Sequence, residues 1–86
     1  MKICVYAICK NEEKFVDRFM DSTIGADAVY VLDTGSTDKS VELLRKRGAI
    51  VKEEKIEPFR FDKARNLALL MIPEDYDICI SLDLDE

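Results

Sequence analysis

Short apolar runs rich in β-formers alternate with stretches whose apolar residues fall at helical spacing, and this alternation limits the chain to one fold class. Ile3-Cys4-Val5-Tyr6-Ala7-Ile8-Cys9 and Ala28-Val29-Tyr30-Val31-Leu32 are apolar throughout, as expected of strands covered on both faces. Ala49-Ile50-Val51-Lys52 is more polar and reads as a strand nearer an edge, while Ile78 to Leu82 reads as a last buried strand. Between the first two runs, Asn11 is expected to cap a helix carrying Phe15, Val16, Phe19 and Met20, with Glu12 and Glu13 at its positive end and Gly25 as its stop. A second helix is expected from about Thr37 to Arg47, with Val41, Leu43 and Leu44 apolar and Gly48 ending it. Asp62 is expected to cap a third, carrying Ala64, Leu67, Ala68, Leu70 and Met71, with Pro73 beyond. The order is β-α-β-α-β-α-β. It calls for an α/β fold with a mainly parallel sheet, joined by right-handed crossovers.

Eighty-six residues allow a single domain, residues 1–86. The balance of 48% hydrophobic and 36% charged residues is that of a globular chain. The longest apolar run, Ile3 to Cys9, falls far short of the roughly 20 residues of a membrane helix, and no secretory leader is evident, so a cytoplasmic location is expected. Three cysteines, Cys4, Cys9 and Cys79, lie in apolar stretches without CxxC spacing and read as reduced, packed thiols. The absence of histidine excludes Ser-His and Cys-His catalysis within these residues. No basic arm or aromatic-basic interleaving suggests nucleic acid. The net charge of −5 is uneven, because residues 73–86 hold six acids and no base. Glu74, Asp75 and Asp77 read as solvated.

In parallel α/β sheets ligands bind outside the carboxyl ends of the strands. Three polar clusters fall there: Cys9-Lys10-Asn11-Glu12, Asp33-Thr34-Gly35-Ser36 and Asp83-Leu84-Asp85-Glu86. The last can supply carboxylate oxygens to Mn²⁺ or Mg²⁺, hard cations that take one or two carboxylates and complete their shell with phosphate. It can equally be a solvated strand end whose acids discourage edge pairing. Asp33 to Asp38 can be a capped turn in which Gly35 takes a positive φ and Ser36, Thr37 or Asp38 caps the next helix. Asp33 can also bond a base or ribose, as a carboxylate at a strand end does in dinucleotide folds. Neither GxGxxG nor a P-loop is present to hold phosphate. Arg60, Lys63 and Arg65 crowd the start of the third helix, where cations are unfavourable unless they serve a ligand, and Arg65 is the one expected to meet a nucleotide. Lys63 reads as surface, and Arg45-Lys46-Arg47 lies at a helix end that favours cations for structural reasons. Phe59 and Phe61 could stack on a base but suit core packing better.

Taken in order, Lys10-Asn11-Glu12-Glu13, Asp33-Thr34-Gly35-Ser36-Thr37-Asp38, Phe61-Asp62-Lys63-Ala64-Arg65-Asn66 and Asp83-Leu84-Asp85-Glu86 resemble family 2 glycosyltransferases over nearly the whole chain. The resemblance implies a Rossmann-like domain forming the first half of a GT-A fold, the part that binds a nucleotide-diphosphate sugar, with uridine diphosphate sugars foremost. It implies that Asp33 holds the base or ribose and Arg65 the base or diphosphate. Asp83 would reach the ribose or a water on the metal, Asp85 would ligate Mn²⁺ or Mg²⁺, and the backbone around Ala7 to Asn11 would frame the base pocket, with Asn11 and Glu12 among the substrate-binding residues. Many members have two consecutive acids where this chain has Asp33-Thr34. The catalytic base and acceptor site are expected beyond Glu86, in a longer parent of which this chain is a fragment, inactive alone.

The function expected is transfer of a sugar from a nucleotide diphosphate to an acceptor. Two rivals stand beside it: a nucleotide-binding module without chemistry, and a phosphatase or phosphotransferase using Asp83 as nucleophile. Ending a sheet at its fourth strand also predicts self-association through the exposed edge.

Overall fold

The computed structural model describes residues 1–56, 60–82 and 84, with only the backbone given at Phe61. Strands β1 (Ile3–Cys9), β2 (Ala28–Asp33), β3 (Ile50–Glu53) and β4 (Ile78–Ser81) pair in parallel in the order β3-β2-β1-β4. A 3₁₀ turn (Glu13–Phe15) runs into α1 (Val16–Ser22), and α2 (Ser40–Lys46) and α3 (Phe61–Leu70) make the remaining crossovers. The α/β class, the parallel sheet and the alternating element order match the sequence expectation. Strand order reverses at β1, which places a topological switch between β1 and β4.

Period-two alternation divides the sheet between two cores. Val5, Ala7, Cys9, Val29 and Val31 face one side with Val16, Phe19 and Met20 of α1 and Leu44 of α2. Cys4, Tyr6, Tyr30 and Leu32 face the other with Ile56 and with Ala64 and Ala68 of α3. The two alanines, one turn apart on α3, give that helix a small-residue contact stripe. Both faces of β1 and β2 are therefore covered, as their unbroken apolar runs required.

Strand β4 departs from its expected burial. Ile78 and Ile80 are each 41% exposed, and Cys79 and Ser81 are also exposed. Register pairs Ile78 with Ile3 and Ile80 with Val5, so both isoleucines lie on the face packed by α1 and α2, beyond the reach of those helices. The strand is apolar in sequence because its face is apolar, yet as an edge it lacks a full cover among the described residues. Further along, Leu82 is partly buried against the same core and Leu84 is fully buried within it.

Helix boundaries shift for local reasons. The second helix begins at Ser40 rather than near Thr37, because residues 34–39 are held in a hydrogen-bonded loop. Gly48 ends it at φ 97°, a left-handed conformation suited to glycine. Gly25 has no such role, since α1 has already ended at Ser22. Asp62 lies inside the first turn of α3, and Arg60 occupies the cap position. Arg47 reaches back to Asp17 at 2.8 Å and Asp21 at 2.6 Å, while Arg45 meets the Val51 carbonyl at 3.1 Å. These contacts give the basic end of α2 the structural role expected of it. Among the described residues no helix is long and apolar enough to cross a membrane.

Candidate functional site

Cys9 and Asp33 are register partners at the carboxyl ends of β1 and β2. The loops leaving them are sewn together by polar side chains. Asn11 adopts φ 53°, the left-handed conformation that asparagine tolerates better than most residues. Its Oδ1 accepts the N–H of Thr37 at 2.7 Å and that of Asp38 at 3.3 Å, and its own N–H donates to Ser36 Oγ at 2.8 Å. Asn11 therefore does not cap the helix that follows it. It closes the loop before α2 instead, a partner twenty-six residues away that local spacing does not reveal. The N–H of Glu12 donates to Ser40 Oγ at 2.9 Å, and that of Glu13 donates to Asp38 Oδ2 at 3.2 Å.

Asp33 is 1% exposed and organises its own turn. Its Oδ2 accepts the N–H groups of Gly35 at 3.2 Å and Ser36 at 2.8 Å, and its Oδ1 accepts the Ser36 hydroxyl. Gly35 stands at φ 127°, as the turn reading anticipated. A carboxylate offers about four acceptor positions. Three are used among the described residues, so Oδ1 keeps one for a further donor.

Ser40, fully buried, is the residue that sequence reasoning missed. Its hydroxyl accepts from Glu12 and donates to Asp38 Oδ1 at 2.6 Å, and its N–H donates to the same oxygen at 2.9 Å. The Asp38-Lys39-Ser40 spacing is the signal that could have marked it, since Asp commonly bonds the N–H two residues on. Partial burial works to raise the Asp38 carboxyl, but hydrogen bonds from Ser40 and Glu13 overcome it and hold the group below its ordinary 3.8. Burial, and secondarily the Asp33 charge, push the Cys9 thiol up to about 11 against the opposing hydroxyls of Ser40 and Ser36. A thiol so placed is a packing group rather than a nucleophile.

The structure thus brings Asn11, Glu12 and Asp33 into one network at the sheet's carboxyl edge. Arg65 is exposed on α3 and does not join that network. Arg60, also exposed, pairs with Asp62 at 3.4 Å. The expectations placed on Phe59, Asp83, Asp85 and Glu86, and on the side chain of Phe61, lie outside the described residues. Within the acidic segment Leu84 is described, and it is buried with Cys9, Val16 and Leu44. Among the described residues no three Asp, Glu, Cys or His side chains gather as a metal site.

The sequence pattern of Glycosyl transferase family 2 matches residues 4–86. The chain belongs to that family. No curated protein sequence matches it significantly. Among solved structures, this family 2 domain is similar to glucosyl-3-phosphoglycerate synthase from Mycobacterium tuberculosis, with 26% identity and a TM-score of 0.80 over 99% of this chain and 35% of that one. The same synthase in complex with Mn²⁺, UDP-glucose and phosphoglyceric acid gives 26% identity and a TM-score of 0.76, covering 95% of this chain and 32% of that one. Its complex with Mg²⁺ and UDP gives 27% identity and 0.69, at 95% and 32% coverage. The chain therefore spans about a third of the length of the structures it matches. It has the architecture of the N-terminal part of their GT-A fold.

Proposed function

We propose that residues 1–86 form the donor-binding part of a metal-dependent glycosyltransferase, taking a nucleotide-diphosphate sugar, with a uridine diphosphate sugar as first choice. The observation that carries this reading is the complete burial of Leu84 in the core cluster that also holds Cys9, the last residue of β1, whose register partner Asp33 belongs to the polar network. Family membership and the UDP and metal complexes of the similar synthase support the same reading.

In this proposal the remaining acceptor position of Asp33 receives a donor from the base or ribose, and Asn11 and Glu12 fix the loop that frames it. Arg65, charged and accessible, meets the diphosphate or base with charge-assisted hydrogen bonds. Asp83 and Asp85 fit a hard divalent cation by donor chemistry, with Asp85 as metal ligand and Asp83 shared between metal and ribose. The cation, Mn²⁺ or Mg²⁺, would supply Lewis-acid stabilisation of charge on the departing diphosphate. The catalytic base and the acceptor site are assigned to the remainder of a longer enzyme. For these residues alone the proposal is binding without transfer, which the one-third coverage of the similar structures favours.

The test is titration calorimetry with UDP, in Mn²⁺ and in chelator, on a chain with an amidated C-terminus so that its terminal carboxylate is not an added ligand. Metal and nucleotide should strengthen each other by one common factor. Asp85→Asn should remove that coupling more completely than Asp83→Asn. Arg65→Ala should weaken UDP binding about ten- to a hundredfold, the loss of a charge-assisted hydrogen bond. Equal affinity with metal and with chelator would return the acidic segment to a solvated strand end.

A further inference from the structure

Cys4 and Cys79 stand opposite each other on β1 and β4. They are register partners seventy-five residues apart in sequence, with their Sγ atoms 3.1 Å apart. That is longer than the roughly 2.05 Å of an S–S bond, and both are free thiols. Neighbouring strands run about 4.8 Å apart, inside the roughly 4.4–6.8 Å that a disulfide spans between Cα atoms. The pair is unequal in access. Cys4 is fully buried in the core beneath α3, whereas Cys79 is exposed on the edge strand. Cys9, the third thiol, is buried at the other end of β1 and belongs to the opposite core. Nothing in the donor-binding reading uses Cys4 or Cys79.

We propose that Cys4 and Cys79 are a reversible redox modification site, which takes a low-molecular-weight disulfide as its oxidant and closes into a bond stapling β4 to β1. The Cys79 thiolate attacks one sulfur of the external disulfide, expels the other half as a thiolate and keeps a mixed disulfide. Cys4 gives its proton to that released thiolate and attacks Cys79 Sγ, forming the Cys4–Cys79 bond and expelling the second half, which is protonated from solvent. Two protein thiols are oxidised, and one external disulfide is reduced to two thiols. Burial first, and then the hydrogen bond with Cys79, push Cys4 up to about 12, which disfavours its thiolate and leaves the first attack to the exposed Cys79. Proximity compensates in the second step, because the target sulfur is already in contact. The staple fixes the register of the strand that leads into Leu82-Asp83-Leu84-Asp85, on the edge that α1 and α2 leave uncovered.

The experiment incubates the reduced chain with excess oxidised glutathione, alkylates it under denaturing conditions and measures intact and peptide masses. The expected product is a monomer lighter by two hydrogens, with alkylatable thiols reduced from three to one, Cys9. A proteolytic peptide pair should join Cys4 to Cys79 and separate on reduction. Cys4→Ala should stop with one glutathionyl group on Cys79, and Cys79→Ser should take up none. Circular dichroism shows whether the variants are folded, and the peptide map of the unsubstituted chain decides the question if they are not. Glutathione retained on Cys79 with Cys4 still alkylatable would overturn the proposal. A bridge through Cys9, or one between two chains, would do the same.

Discussion

The backbone N–H of Asn11 donates to Ser36 Oγ at 2.8 Å, and that hydroxyl in turn donates to the buried carboxylate of Asp33. One serine thus couples the exit of β1 to the exit of β2, across twenty-five residues of sequence. The coupling works because Asn11 occupies a left-handed conformation that aims its N–H and Oδ1 at the neighbouring loop.

Asn11→Ala should therefore destabilise the fold by about 1–2 kcal/mol, through lost hydrogen bonds and the left-handed penalty together. Asn11→Gly loses the same side-chain acceptor without the penalty and should cost about 1 kcal/mol less. Urea unfolding of the two variants gives the order. An alanine variant as stable as the glycine variant would show that the backbone conformation contributes nothing.

Leu84 leads to a second prediction. It is fully buried, while Leu70 on α3 is 81% exposed. Leu84→Ala should cost about 2–5 kcal/mol, the range for emptying a buried leucine site. Leu70→Ala should stay within about 0.5 kcal/mol. Similar midpoints for the two would mean that Leu84 is not anchored in the core.

How much of this was legible in the sequence follows from how local each cause is. Strands β1 and β2 declared themselves because both faces of each are buried, so every position before the closing Asp33 had to be apolar. Gly35 and Gly48 were legible for the same reason: a positive φ is settled within a few residues. Asn11 was misread as a helix cap because its partners, Thr37 and Asp38, belong to another crossover. Ser40 was missed because its burial depends on the Glu12 N–H arriving from the β1 loop. The apolar run of β4 told its face but not its cover, since nothing in Ile78-Cys79-Ile80 records how far α1 and α2 extend. Arg65 was picked out by its place on the third helix, and its exposure is compatible with a ligand contact without requiring one.

Asp38 gives the fold a sensitivity to acid. Its folded pKa lies below the ordinary 3.8 because hydrogen bonds from Ser40 and Glu13 outweigh the cost of partial burial. A depressed carboxyl contributes stability that is fully present above its unfolded pKa and is lost as pH falls through the lower folded value. Stability should thus decline as pH falls below about 3.8, and Asp38→Asn should flatten that part of the profile relative to the unsubstituted chain. Chemical denaturation at a series of pH values measures both. Parallel profiles for the two proteins would remove Asp38 from the acid response.

The last prediction concerns the edge at β4. Ile78 and Ile80 are each 41% exposed, side by side on one face and next to the open hydrogen-bonding groups of an edge strand. Burying the exposed part of each isoleucine would contribute about 1 kcal/mol, and a two-fold contact counts each residue twice. Parallel or antiparallel pairing of two such edges adds backbone hydrogen bonds to that apolar gain. The chain should therefore self-associate reversibly as concentration rises, even with all three thiols kept reduced so that no bridge between chains contributes. Ile80→Lys places a charge where natural edge strands carry one, and it should weaken association at least tenfold while leaving the monomer folded, because the site is already open to water. Sedimentation velocity over a range of concentrations distinguishes the outcomes. A single monomeric boundary at every concentration for the unsubstituted chain would show that this edge does not bind a second copy.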